Sequence, residues 1–160
     1  FFLVPTGRAA TIEGGLRPEE YEPTIRAILR QQQRTTMPLK PTCAPQFLRL
    51  AREMGMELPY SRGCLAGTSY CLVDPRGDLQ PCAYLNINLG NVREIPLDRL
   101  WAESEVLKQL RAQSYTGACG RCRYRGLCGG CRARAYAFYG DYLAEDPWCG
   151  YGARKEEGVG

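Results

Sequence analysis

Residues 119–131 read CGRCRYRGLCGGC. Four thiols crowd one short stretch, with glycines at 120, 126, 129 and 130 and arginines at 121, 123 and 125. Glycine takes backbone dihedrals that other residues avoid, so a cysteine-glycine run can fold closely around a bulky group. Five more cysteines stand at 43, 64, 71, 82 and 149.

Three readings of these thiols compete. Disulfides need an oxidising compartment, and an odd count without an export signal argues against them. Structural zinc would take Cys119, Cys122, Cys128 and Cys131. A zinc ribbon, however, separates its two C-x2-C pairs by a longer span than the one between Cys122 and Cys128, and four further cysteines would go unexplained. Iron–sulfur ligation accounts for the count best. A [4Fe–4S] cluster takes four thiolates, and the cysteines from 64 to 149 supply two such sets, with Cys43 apart.

The rest of the composition narrows the chemistry. The 160-residue chain has no histidine, which removes the commonest general base and the commonest nitrogen ligand. Lys and Arg exceed Asp and Glu by 4, too mild and dispersed an excess to mark a nucleic-acid partner. No apolar run is long enough to span a membrane. The opening FFLV is too short for a signal-peptide core, and Phe1 in place of Met points to a piece of a longer protein.

Along the chain, FFLV followed by PTGR reads as a buried strand and its loop. Tyr21, Ile25, Ile28 and Leu29 predict a helix from Pro18 to about Gln33, with Pro23 delaying its start or kinking it. An extended stretch over Met37–Lys40 follows. A second helix runs from about Pro45 to Met54, with Gly55 as its stop. Alternating strand and helix suggest an α/β fragment, the last units of a parallel barrel.

Beyond Tyr60 glycines and cysteines become dense. YCLV and DLQPC flank the turn DPRG as a hairpin. Pairing Val73 with Asp78 would put Cys71 and Cys82 on one face, roughly 7–8 Å apart. Pro96 to Arg111 reads as one helix or two, with Ser104 capping the second. The expected organisation is 1–59, 60–150 as a small loop-rich α+β domain, and a polar tail over 151–160.

The pattern of Cys64, Gly77 and Cys82, then C-x2-C-x5-C-x2-C, then Cys149, strongly resembles the SPASM domain. This is the auxiliary-cluster module at the C-terminus of radical S-adenosylmethionine (SAM) enzymes. The last pair here is C-x2-C, where the commoner family pattern has three intervening residues. The resemblance implies auxiliary [4Fe–4S] cluster I on Cys64, Cys71, Cys82 and Cys131, and auxiliary cluster II on Cys119, Cys122, Cys128 and Cys149. Within the family, GCLAGTSYC, PCAYLNINLGNVRE, LCGGCRARAYA and GDYLAEDPWC look like the enzymes of haem d1 synthesis and of the siroheme-dependent haem pathway. FFLVPTGRA and KPTCAPQF look like the end of their barrel.

That likeness implies an enzyme of oxidoreductase or lyase type acting on tetrapyrrole propionate side chains. It also implies a third [4Fe–4S] cluster with S-adenosylmethionine in the full-length protein, a cytoplasmic location, and an electron donor such as ferredoxin or flavodoxin. No two cysteines here have the three-residue separation of the SAM-cluster motif C-x3-C-x2-C. This chain alone is therefore expected to be inactive. A peptide-modifying maturase is the alternative within the family, and a zinc-binding interaction module without catalysis the alternative outside it.

Arg132 and Arg134 follow Cys131 directly and are candidates to fork onto propionate carboxylates. Arg8 and Cys43 are weaker substrate-side candidates. Arg121, Arg123 and Arg125 read as a solvated surface balanced by Asp141, Glu145 and Asp146. Tyr70, Tyr84, Tyr136 and Trp148 flank cysteines and would shield a cofactor from water.

Overall fold

The computed structural model describes residues 16–151. Pro18 opens helix α1 (Pro18–Gln32), where a missing N–H costs nothing in the first turn. The Arg17 amide donates to the Glu20 carboxylate at 3.0 Å and satisfies the entry. Pro23 neither ends the helix nor delays its start. Tyr21, Ile25 and Leu29 recur every fourth residue and are all buried.

Helix α2 (Gln46–Glu53) packs Phe47, Leu48, Leu50 and Ala51 against that stripe. It ends in a Schellman motif. Gly55 adopts φ +68°, its amide bonds the Arg52 carbonyl at 3.2 Å, and the Met56 amide bonds the Ala51 carbonyl at 2.9 Å. The residues 37–40 between the helices form no strand ladder.

The hairpin forms with a different register from the one its turn residues suggest. In β1 (Leu72–Val73) and β2 (Leu79–Gln80), Leu72 pairs with Gln80 and Val73 with Leu79. The slip has a physical cause. Gly77 at φ +96° bonds back to the Asp74 carbonyl at 2.9 Å, and the Asp74 amide bonds the Asp78 carbonyl at 3.0 Å, so the loop holds three residues rather than two. A one-residue slip turns side chains to the other face. The shared-face argument for Cys71 and Cys82 therefore fails, and the ladder ends before either of them. Asn91 ties the turn down, donating to the Arg76 carbonyl and the Asp78 carboxylate.

Helices α3 (Leu97–Glu103) and α4 (Glu105–Ala112) meet at Ser104, whose hydroxyl accepts from the Leu107 amide at 3.4 Å as the cap. Leu107 and Leu110 pack on Tyr115. Helix α5 (Gly117–Arg121) and helix α6 (Arg132–Tyr139) bracket the cysteine-rich loop.

Among the described residues the fold is thus α+β, six helices and one two-stranded antiparallel sheet, without the parallel pairing of a barrel. The FFLV strand and Arg8 lie outside the described residues. No described helix is long and apolar enough to cross a membrane. The core of α1 and α2 also contains Trp148, whose ring meets Tyr21 edge-on at 5.3 Å. The Gly150 amide further donates to Glu22 at 3.0 Å, so the first and last described segments share one interior.

Candidate functional site

The strap 143–146 crosses the start of α5 and fixes it. The Thr116 amide donates to the Leu143 carbonyl at 2.8 Å, and the Ala118 amide donates to the Glu145 carboxylate at 2.6 Å. The Asp146 amide then donates to Cys119 Sγ at 3.4 Å. This lacing brings Cys149, far along the chain, opposite α5. Cys119, Cys122, Cys128 and Cys149 line one cavity of about 410 Å³, which Arg49 of α2 also borders.

Around that cavity burial pushes the Cys128 thiol well above its ordinary value, with Cys149 and Cys119 adding to the shift. Burial raises Cys119 too, against the opposing pull of the Arg132 guanidinium and the Asp146 amide. Thiols so placed become thiolates when a cation shares the space, since coordination deprotonates a thiol outright.

The donor set is all sulfur, which suits iron–sulfur ligation. All four thiols border one space, and among the described residues no three Cys, Asp or Glu side chains are grouped so as to hold a single metal ion. Arg49 Nε is buried without a hydrogen-bond partner at the same wall. The residues therefore fit a bulky anionic cluster.

Glycine is required where the loop turns from Cys128 to Cys131. Gly129 and Gly130 adopt φ +72° and +62°, and a Cβ on Gly130 would lie 2.9 Å from Asp146 Cβ and 3.1 Å from Cys119 Sγ. Gly130→Ala is expected to lower bound iron per chain in anaerobically purified protein. Gly140→Ala has a similar φ of +68° but open space around it. It should cost only the left-handed penalty of about 1–2 kcal/mol in unfolding free energy, with iron retained.

Cys131 belongs to a different group of side chains. It is buried with Leu85 and Ala133, and Cys43, Cys82 and Tyr84 pack on the same group. Burial raises the thiols of Cys131 and Cys82, and Cys64 acts electrostatically on both. Cys43 is pushed up to about 12, first by burial and then by Cys82 and Cys64. The Cys64 amide bonds the Cys128 carbonyl at 3.3 Å, which places this second group directly behind the first. The structure thus brings Cys43, Cys64, Cys82 and Cys131 together, and Cys71 is half-buried at the foot of β1.

Between the two groups lies a charge network that sequence reasoning missed. Asp146 is 3% exposed rather than solvated. It accepts from Arg134 Nε at 2.7 Å and Nη2 at 2.6 Å, from Gln46 Nε2 at 2.6 Å, and from the amides of Cys131 at 2.7 Å and Trp148 at 3.1 Å. Burial opposes its charge, yet the Arg134 guanidinium and these donors hold its carboxyl below the ordinary carboxylate value. The one available signal was an aspartate three residues before Cys149, in EDPWC, in a chain whose arginines cluster just upstream.

Arg132 and Arg134 are both 0% exposed. Arg134 is sandwiched between the rings of Tyr21 and Trp148, at 4.6 and 4.7 Å, and bonded to Asp146. Arg132 bonds the carbonyls of Tyr142 at 3.1 Å and Ala144 at 2.7 Å, and Cys119 Sγ at 3.5 Å. With their donors committed inside the protein, neither can fork onto a substrate carboxylate. That expectation is corrected to an internal role. Arg121, Arg123 and Arg125 are exposed, as expected of a solvated surface. Trp148 is 8% exposed between α1 and α6, and Tyr70 is 43% exposed, so only the former shields an interior.

Comparison with known proteins fits this arrangement. Residues 64–131 match the family model SPASM, described as an iron–sulfur cluster-binding domain. Over nearly its whole length it is similar to the AdoMet-dependent heme synthases of Nitratidesulfovibrio vulgaris and Methanosarcina barkeri. The first is 43% identical over 97% of this chain and 46% of that protein, the second 40% identical over 98% and 48%. The mycofactocin maturase MftC of Mycobacterium ulcerans is 39% identical over 56% of this chain and 26% of the maturase. The chain spans about half the length of the heme synthases it matches.

Proposed function

We propose that this chain is the auxiliary-cluster portion of a radical SAM enzyme that modifies tetrapyrrole propionate side chains in haem or haem d1 formation. Cys119, Cys122, Cys128 and Cys149 would hold one [4Fe–4S] cluster, and Cys64, Cys71, Cys82 and Cys131 the other. The arrangement of the first four around one cavity is the observation that carries the reading. Likeness to heme synthases across 97% of the chain favours the tetrapyrrole. Bound clusters exchange single electrons at potentials set by their ligands and surroundings, so they could pass electrons to or from a substrate radical.

In this reading residues 1–59 close the barrel that carries the SAM-binding cluster, whose motif lies elsewhere in the enzyme, and 60–150 form the SPASM domain. Cys43, half-buried beside Tyr84, is the substrate-side candidate among the described residues, and Arg8 is kept as one outside them.

Anaerobically purified protein should be brown, absorb broadly near about 400 nm and contain about eight irons with matching acid-labile sulfide per chain. Colourless protein with stoichiometric zinc would overturn the reading. The second reading, a peptide-modifying maturase, has the likeness to MftC behind it, over 56% of the chain. Titration of the full-length enzyme with a tetrapyrrole carboxylate separates the two. Saturable binding supports the first reading, and its absence favours the maturase.

A further inference from the structure

Arg132 carries a full charge into the interior, where the carboxylate that acts on it, Asp146, is already paired with Arg134. Its side chain is 0% exposed. Nη1 donates to the carbonyls of Tyr142 and Ala144, Nε lies 3.5 Å from the Gly130 carbonyl, and the guanidinium lies 4.3 Å from the centre of the Tyr115 ring. Among the described residues no acidic oxygen comes within ion-pair distance of it, whereas the neighbouring Arg134 has Asp146. A buried cation without an anionic partner is strongly unfavourable. The remaining nitrogen, Nη2, faces Cys119 Sγ at 3.5 Å. The Asp146 amide donates to the same sulfur at 3.4 Å.

We infer that Arg132 is a positioning residue whose charge and N–H···S bond raise the reduction potential of the cluster held through Cys119. The inference rests on the assignment of Cys119 as a cluster ligand. A thiolate there supplies the direct anionic partner that Asp146, held by Arg134, does not. Hydrogen bonds to cluster sulfur stabilise the reduced, more negative state and so move the potential upward. Two donors converge on Cys119, while the Tyr124 amide donates to Cys122 at 3.4 Å. The electron would accordingly be stabilised toward the interior side of the cluster, next to the Asp146 strap.

The test uses the anaerobic, cluster-loaded full-length protein and an EPR-monitored redox titration. Arg132→Met, which keeps length and removes charge, should shift one auxiliary potential to a more negative value with iron per chain unchanged. Arg132→Lys should shift it less. An unshifted potential at full iron content overturns the inference.

If the Arg132 variants do not fold, 15N-guanidino arginine labelling of the wild type and of Arg49→Lys gives the answer, the second protein removing the buried arginine that borders the cavity. Electron spin-echo modulation of the reduced cluster should show an arginine nitrogen coupling in both proteins, and its absence from either overturns the inference equally. Cys119→Ser tests the underlying assignment separately. Retention of all iron and an unchanged cluster spectrum in that variant would remove Cys119 from the ligand set, whatever the arginine variants do.

Discussion

Asp146→Ala is expected to lower the unfolding free energy by about 3–5 kcal/mol, the usual consequence of removing one member of a buried ion pair. Both partners are fully enclosed, and the pair is bidentate, with Arg134 Nε and Nη2 on the two carboxylate oxygens at 2.7 and 2.6 Å. Alanine leaves the guanidinium between Tyr21 and Trp148 without an anion. It also strands the Cys131 amide and the Gln46 side chain. Small domains have only about 5–15 kcal/mol in total, so the loss takes a large share.

The measurement is anaerobic urea unfolding, read as a fall in midpoint at unchanged slope. Two comparisons keep the interpretation specific. The double variant Asp146→Leu with Arg134→Met removes both charges and should recover part of the loss. Arg99→Ala breaks a pair with Glu103 that is 65% and 63% exposed, and it should cost no more than about 1 kcal/mol.

Local rules carried the helices. The fourfold spacing of Tyr21, Ile25 and Leu29, the Ser104 cap and the Gly55 stop are each written within one turn of sequence, and each appears in the structure. The hairpin was legible as a hairpin but not in register, because Gly77 converts a tight turn into a three-residue loop and moves the pairing by one residue. The arginines of α6 were misjudged for a different reason. RARA carries no amphipathic pattern, since Arg132, Ala133, Arg134 and Ala135 are all buried. Their burial depends on partners far away in sequence, namely Gln46, Tyr21 and Asp146. A charge network closed over such separations leaves no periodic trace. The turn of the loop was written locally, because the pair of glycines between Cys128 and Cys131 takes the left-handed conformation.

Cys128→Ser and Cys131→Ser are expected to abolish different centres, each variant losing about half of the bound iron, or roughly four irons for a cubane cluster. The two sulfurs are separated in sequence only by Gly129 and Gly130, yet they belong to different surroundings. Cys128 lines the cavity with Cys119, Cys122 and Cys149. Cys131 is buried with Leu85 and Ala133, against which Cys43 and Cys82 pack.

Two successive left-handed glycines turn the chain between them, and the Cys131 amide, anchored on the Asp146 carboxylate at 2.7 Å, holds that turn in place. Serine is nearly isosteric, so fold and turn should persist while one ligand is weakened. Iron analysis with EPR of the reduced protein should therefore show complementary signals, each variant retaining what the other has lost. Identical iron loss and identical spectra in the two variants would mean that one centre takes both sulfurs, and the division of the 119–131 loop between two clusters would be wrong.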